Sequence, residues 1–158
     1  MKMKNNNKLT RGLRNKNPFN IRRNDDNEWR GKIFQADGSF SLDKDFEVFS
    51  SIGYGVRAGL YLLCRYIQDL DCETLEQLIH RFCPDCDGYN NEKLYCQFIR
   101  KRTNDSFNDL TNLSYPRFVK LANAITYYES RYEIPDNIFR IAYNSLPNRF
   151  KEWFECIV

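Results

Sequence analysis

Residues 114–132 read SYPRFVKLANAITYYESRY, and this stretch decides the class of fold. At about 100° per residue, Phe118, Leu121, Ala122, Ile125 and Tyr132 fall on one face. The spacing predicts a long helix, with Ser114 as N-cap and Pro116 in its first turn. It is expected to end near Tyr132, before Pro135. Glu129 interrupts the stripe, four residues after Ile125 and three before Tyr132. A carboxyl among apolar groups is poorly solvated as an anion, so its pKa rises. Such a group holds a proton near neutral pH and can hand it to a leaving glycosidic oxygen. The alternative is a helix-end Glu that reaches solvent or pairs with Arg131 or Arg140. The pattern alone does not choose between them.

Helical patterning extends on both sides. Val56, Leu60, Leu63, Ile67 and Leu70 predict a helix over 52–70. Thr74 and Gln77 have the form of a capping box for a second helix that runs to Phe82 and stops at Cys83-Pro84. Asp85 to Asn91 reads as a turn-rich loop, Glu92 to Lys101 as a short helix, and Thr103 to Asn112 as a polar connection. Asp136–Asn144 and Asn148–Cys156 complete a mainly helical chain, separated at Pro147.

The first third lacks this period. Turns are marked at Asn17-Pro18, Asp25-Asp26-Asn27 and Asp37-Gly38, around short apolar-containing stretches at 32–34, 40–42 and 46–49. Asp37-Gly38 suggests a hairpin. Residues 11–49 therefore read as an irregular loop followed by a small antiparallel sheet. The expected fold class is α+β, mainly α, with one domain over 11–158 and a frayed basic terminus over 1–10.

Length supports one core, and 42% apolar with 15% aromatic residues argue against wholesale disorder. Charge is uneven. Residues 1–23 hold eight Lys and Arg and no acid, whereas residues 24–158 hold 16 basic against 21 acidic residues, a net of −5. Nucleic-acid binding through the basic arm needs a basic surface on the fold itself, so it ranks last. No apolar segment follows the basic start and no run approaches ~18 apolar residues, so neither a signal peptide nor membrane insertion is expected. Synthesis in the cytoplasm is expected, with another route of delivery to any wall substrate. The six cysteines read mainly as reduced thiols. His80, Cys83, Cys86 and Cys96 raise the question of zinc, but the second half-site lacks a paired ligand. Small buried residues at a helix end fit better, so no metal and no cofactor are expected.

The segment from Arg11 to Arg22, RGLRNKNPFNIR, resembles the opening signature R-G-x-R-N-x-N-P-x-N-I-R of a phage and prophage family whose members are labelled virion structural or lysozyme-like proteins. The likeness continues through Trp29 and Gly31, residues 46–49, Gly53, Gly55, Arg57 and Ala58, then 74–84, and ends at Ala124-Ile125 and Glu129. The order of these pieces also resembles a circularly permuted glucosaminidase of the lysozyme superfamily. That resemblance implies a lysozyme-like domain, a catalytic role for Glu129 and a glycan-cleft role for residues 17–29. The chain departs from the family pattern at Phe19, where Gly is common, over 85–91, and at Tyr132, where a Gly often follows the Glu shortly after.

The leading expectation is a peptidoglycan glycosidase, either a muramidase or glucosaminidase or a lytic transglycosylase. Glu129 is the expected general acid, with Asn17, Asn20, Trp29 and Tyr132 as sugar-binding residues. Asp25, Asp26, Glu28 and Asp37 are the candidates for a second carboxyl. The alternative is a non-catalytic structural or wall-binding component of a phage or injection particle, with other particle proteins as partners.

Overall fold

A computed structural model describes residues 8–33, 43–83 and 89–155. Among them seven α-helices form: α1 (Arg11–Arg14), α2 (Ile52–Cys64), α3 (Leu75–Phe82), α4 (Tyr89–Thr103), α5 (Tyr115–Ser130), α6 (Asp136–Asn144) and α7 (Asn148–Glu155). A π-helical turn, Arg65–Asp69, prolongs α2, and a 3-10 turn, Leu110–Asn112, lies between α4 and α5.

Local chemistry sets these limits. Ser114 accepts a hydrogen bond from the Arg117 N–H at the start of α5, and Pro116 occupies its first turn. Arg131 ends α5 in the left-handed region (φ 55°), its N–H bonded to the Tyr127 carbonyl at 3.0 Å. Thr74 and Gln77 form a reciprocal capping box at α3. The helix expected over 52–70 loosens into the π turn after Cys64, and α4 starts at Tyr89, ahead of the expected Glu92.

Helices pack as α2 on α6, α4 on α5 and α3 on α4, while α1 touches α5. Leu60 and Leu63 of α2, Phe118, Leu121 and Ile125 of α5, and Phe150 of α7 are fully buried in one core. Phe19 joins them, also with no exposed surface. It fits because Gly59 has no side chain: a Cβ there would lie 2.0 Å from the Phe19 ring. Phe19 thus seats against α2 and meets Phe82 edge to face, with ring centroids 6.2 Å apart.

The expected antiparallel sheet lobe is absent from the described residues. Two isolated antiparallel bridges, Arg22 with Phe46 and Lys32 with Phe49, stand in its place. The segment over 45–50 pairs first with 21–23 and then with 31–33, so neither ladder grows beyond a single bridge. Side chains satisfy the remaining backbone instead. The Asn17 amide donates to the Ile21 and Glu47 carbonyls and accepts from the Ile21 N–H, each at 3.0 Å. Lys32 Nζ donates to the Asn24 and Asn27 carbonyls at 2.8 and 2.9 Å. Groups held this way have no need of a strand partner. The Asp37-Gly38 hairpin, the loop over 85–88 and the extreme basic tail over 1–7 lie outside the described residues. Thr10 is firmly placed: it caps α1 and donates to the Ser130 carbonyl at 2.9 Å.

Among the described residues, Cys64, Cys72 and Cys96 are buried free thiols and Cys83 is disulfide-bonded. Cys86 and Cys156 lie outside the described residues. His80 Nδ1 lies 2.9 Å from Glu92 Oε1. Among the described residues, no group of three His, Cys, Asp or Glu side chains is placed to hold a metal ion. Nor is any described helix long and apolar enough to cross a membrane.

Candidate active site

The last turn of α5 presents Glu129 to the loop over 10–20, and three ties hold the two together. Thr10 Oγ1 donates to the Ser130 carbonyl at 2.9 Å, and Ser130 Oγ donates to the Pro18 carbonyl at 2.8 Å. Asn20 Nδ2 donates both to the Glu129 carbonyl at 3.1 Å and to Glu129 Oε2 at 3.0 Å. The approach is close enough to require Gly12, where a Cβ would lie 1.9 Å from Ser130 Oγ. Asn20 itself sits at φ 50°, a backbone region that Asn tolerates better than most residues. Loop and carboxyl, distant in sequence, are therefore in direct contact.

The other carboxyl oxygen faces α4. Tyr95 Oη donates to Glu129 Oε1 at 3.0 Å, from a side chain with no exposed surface. Tyr128, which is partly exposed, packs on Tyr95 with ring centroids 3.8 Å apart and the planes tilted by 31°. Burial raises the pKa of Glu129, while the bonds from Asn20 and Tyr95 and the Arg22 charge oppose that rise. The Tyr95 phenol is pushed well up, first by its own burial and then by Glu129. Two donors that favour the anion thus moderate a site that otherwise favours the acid. The arrangement can store a proton, release it, and stabilise the carboxylate left behind.

Neither Arg131 nor Arg140 pairs with this carboxyl, the alternative the sequence allowed; its partners are Asn20 and Tyr95. Glu133 instead pairs with Arg102 at 2.6 Å. Asn17 is fully buried and its amide is engaged by the loop backbone. Tyr132 lies beyond the left-handed Arg131 and is partly buried against the core, with its carbonyl accepting from Thr126 Oγ1 at 2.7 Å. Trp29 stands apart from Glu129: it meets Tyr61 edge to face at 5.6 Å and lines a cavity to which Glu129 does not belong. Of the sugar-binding candidates, Asn20 is the one brought to the acid.

Asp25 is paired with Arg23 at 2.8 Å, and its pKa is lowered by that bond. Asp26 and Glu28 line the cavity beside Trp29. Asp37 lies outside the described residues. Another acid escaped sequence reasoning. Glu47 is buried, and Lys32 Nζ lies 3.0 Å from its Oε2. Burial raises the Glu47 pKa and Lys32 opposes the rise. This pair anchors the loop rather than the Glu129 site. The alternation of Phe46, Glu47, Val48 and Phe49 hid it, because a strand reading sends Glu47 outward. Tyr95 was hidden in a helix whose residues are mostly polar, and its spacing to Ile99, four positions on, was the available signal.

No family model matches the chain. It is similar to Protein P5 of Pseudoalteromonas phage PM2, with 33% identity over 109 residues. The matched region is 66% of this chain and 65% of the relative, so the match spans slightly less than two thirds of the relative's length.

Proposed function

We propose that this chain is a component of a phage particle that opens bacterial peptidoglycan, with Glu129 as the general acid. The observation that carries the reading is the Glu129 carboxyl, its pKa raised by burial and its oxygens held by Asn20 and Tyr95. The phage setting is supported by the similarity to Protein P5 of phage PM2. The lysozyme-like label rests on motif order alone.

Glu129 gives its proton to the glycosidic oxygen as the bond from that oxygen to the anomeric carbon breaks. The Asn20 amide and the Tyr95 hydroxyl then stabilise the carboxylate. A hydroxyl or acetamido group of the substrate captures the anomeric carbon. In the first case Glu129 takes the hydroxyl proton back and an anhydro sugar forms. In the second, water completes the reaction, returns its proton to Glu129 and leaves a reducing end. The Tyr128 ring offers an apolar face beside the acid.

A non-catalytic particle component is the second reading, and a specific observation favours it. Both Glu129 oxygens accept hydrogen bonds from within the chain, and Asn20 binds the carboxyl and its backbone carbonyl together, as a structural staple does. Digestion of purified peptidoglycan by wild type and Glu129→Gln, with fragments identified by mass spectrometry, separates the two. The enzyme reading expects soluble fragments from wild type and at least about a hundredfold less from the variant, the scale of general acid catalysis. Anhydro-muropeptides identify capture by a hydroxyl, and reducing ends identify water. No release by wild type overturns the enzyme reading in favour of the structural one. Equal release by both proteins removes Glu129 from the chemistry.

A further inference from the structure

A second site is built around Arg57, away from Glu129. A cavity of about 460 Å³ opens between the loop over 26–30 and the outer face of α2 and the π turn, with Trp29, Arg30, Arg57, Tyr61 and Arg65 on its walls. Arg57 is only 9% exposed, unusual for a residue that is always charged. Its bonds reach only neutral groups: Nε donates to Ser145 Oγ at 3.1 Å and Nη2 to the Ser145 carbonyl at 3.4 Å. Ser145 caps the C-terminus of α6, where a helix offers roughly half a negative charge. Among the described residues no carboxylate pairs with Arg57, and Nη1 has no hydrogen-bond partner. Arg30 adds a like charge nearby, and burial with that charge lowers the Arg57 pKa.

A mostly buried guanidinium with no carboxylate partner carries a desolvation cost that a bound anion can offset. Trp29 lines the same cavity, and its buried Nε1 has no partner. Asp26 and Glu28 also line the cavity, and both are exposed. Their charges disfavour a dianion while leaving room for a single negative charge. Leu62, Tyr61 and Trp29 supply an apolar wall.

We propose that this cavity binds a carboxylate-bearing ligand, with Arg57 as the anion anchor and the Trp29–Tyr61 wall taking the ligand's apolar body. The planar guanidinium suits a two-oxygen acceptor, and the cavity volume accommodates a single ring. The assignment does not depend on Glu129, and its test requires no enzymatic activity.

The test is titration of nitrogen-15-labelled full-length chain, following the Trp29 indole and Arg57 side-chain N–H signals by NMR. The probes are benzoate, its neutral analogue benzamide, N-acetylmuramic acid and inorganic phosphate. Benzoate or N-acetylmuramic acid is expected to shift both signals, at least about tenfold more tightly than benzamide. The tighter of the two acids identifies the source of the carboxylate as a free small acid or a wall sugar. Arg57→Met is expected to weaken acid binding at least about tenfold. Arg57→Lys, which keeps the charge and loses the fork, is expected to weaken it as well, and it serves if the Met variant fails to fold. Equal binding of benzoate and benzamide, tighter binding of phosphate than of either acid, or undiminished acid binding in both variants overturns the proposal.

Discussion

Replacing Asn20 isolates the contact on which the Glu129 site depends. Asn20 Nδ2 serves two acceptors, the Glu129 carbonyl at 3.1 Å and Oε2 at 3.0 Å. In Asn20→Gly both bonds are lost while the left-handed backbone is kept at no steric cost. A hydrogen bond between neutral groups contributes about 1 kcal/mol and one to an ionised group about 1.5–3 kcal/mol. The expected loss of stability is therefore about 2 kcal/mol where Glu129 is protonated and about 2.5–4 kcal/mol where it is ionised. Asn20→Ala should lose roughly 1 kcal/mol more, because it places a Cβ in the left-handed region. The direction with pH follows from the same bond. The Asn20 donor lowers the Glu129 pKa against the effect of burial, so its removal raises that pKa and penalises the anion. Urea unfolding near pH ~4 and near pH ~8 measures both quantities. A penalty below about 0.5 kcal/mol at both, or one that shrinks as pH rises, would show that Asn20 does not hold the Glu129 carboxylate.

Three other perturbations test separate parts of the structure. Glu129 has a folded pKa above its unfolded value, so its contribution to stability is full below the unfolded pKa and is lost as pH rises through the folded one. Relative to wild type, Glu129→Gln should therefore gain stability as pH rises from acid to neutral; a difference in thermal melts that does not change with pH contradicts this. Lys32→Met strands the Glu47 carboxylate and should destabilise the chain by about 3–5 kcal/mol in urea unfolding. Adding Glu47→Leu should recover more than half of that loss, and no recovery refutes the ion-pair account. Gly59→Ala drives a Cβ into the Phe19 ring and should destabilise by about 1–3 kcal/mol, with part restored by Phe19→Leu; purely additive effects in the double variant deny the contact.

Much of the helical scaffold was legible because its signals are local. The apolar stripe of α5, the Ser114 cap and the Thr74–Gln77 box each act within one or two turns of the chain. Glu129 stood out because a charged residue broke a regular stripe. The N-terminal third was misread for an equally physical reason. Its turn residues and apolar pairs fit a sheet, but Asn17 and Lys32 satisfy backbone groups that a ladder normally holds. Nothing in the local pattern distinguishes an Asn that turns the chain from one buried to brace it. Tyr95 and Arg57 depend on contacts 34 and 88 residues away, and each lies on a helix where its own polarity gives no warning of burial. Phe19 stood out as a departure from the family signature, yet its place in the core depended on Gly59 across the fold.

The proposed chemistry requires the fold to keep Glu129 readier to hold a proton than an ordinary glutamate. The direct measurement is a carbon-13 NMR titration of the Glu129 side-chain carboxyl in the folded chain, with Glu129→Gln to assign the signal. A midpoint above the ordinary glutamate value of about 4.3 is expected, moved higher still by Tyr95→Phe, which removes a donor to the anion. A midpoint at or below about 4.3 would contradict it, and the raised carboxyl on which the proposed chemistry rests would be gone.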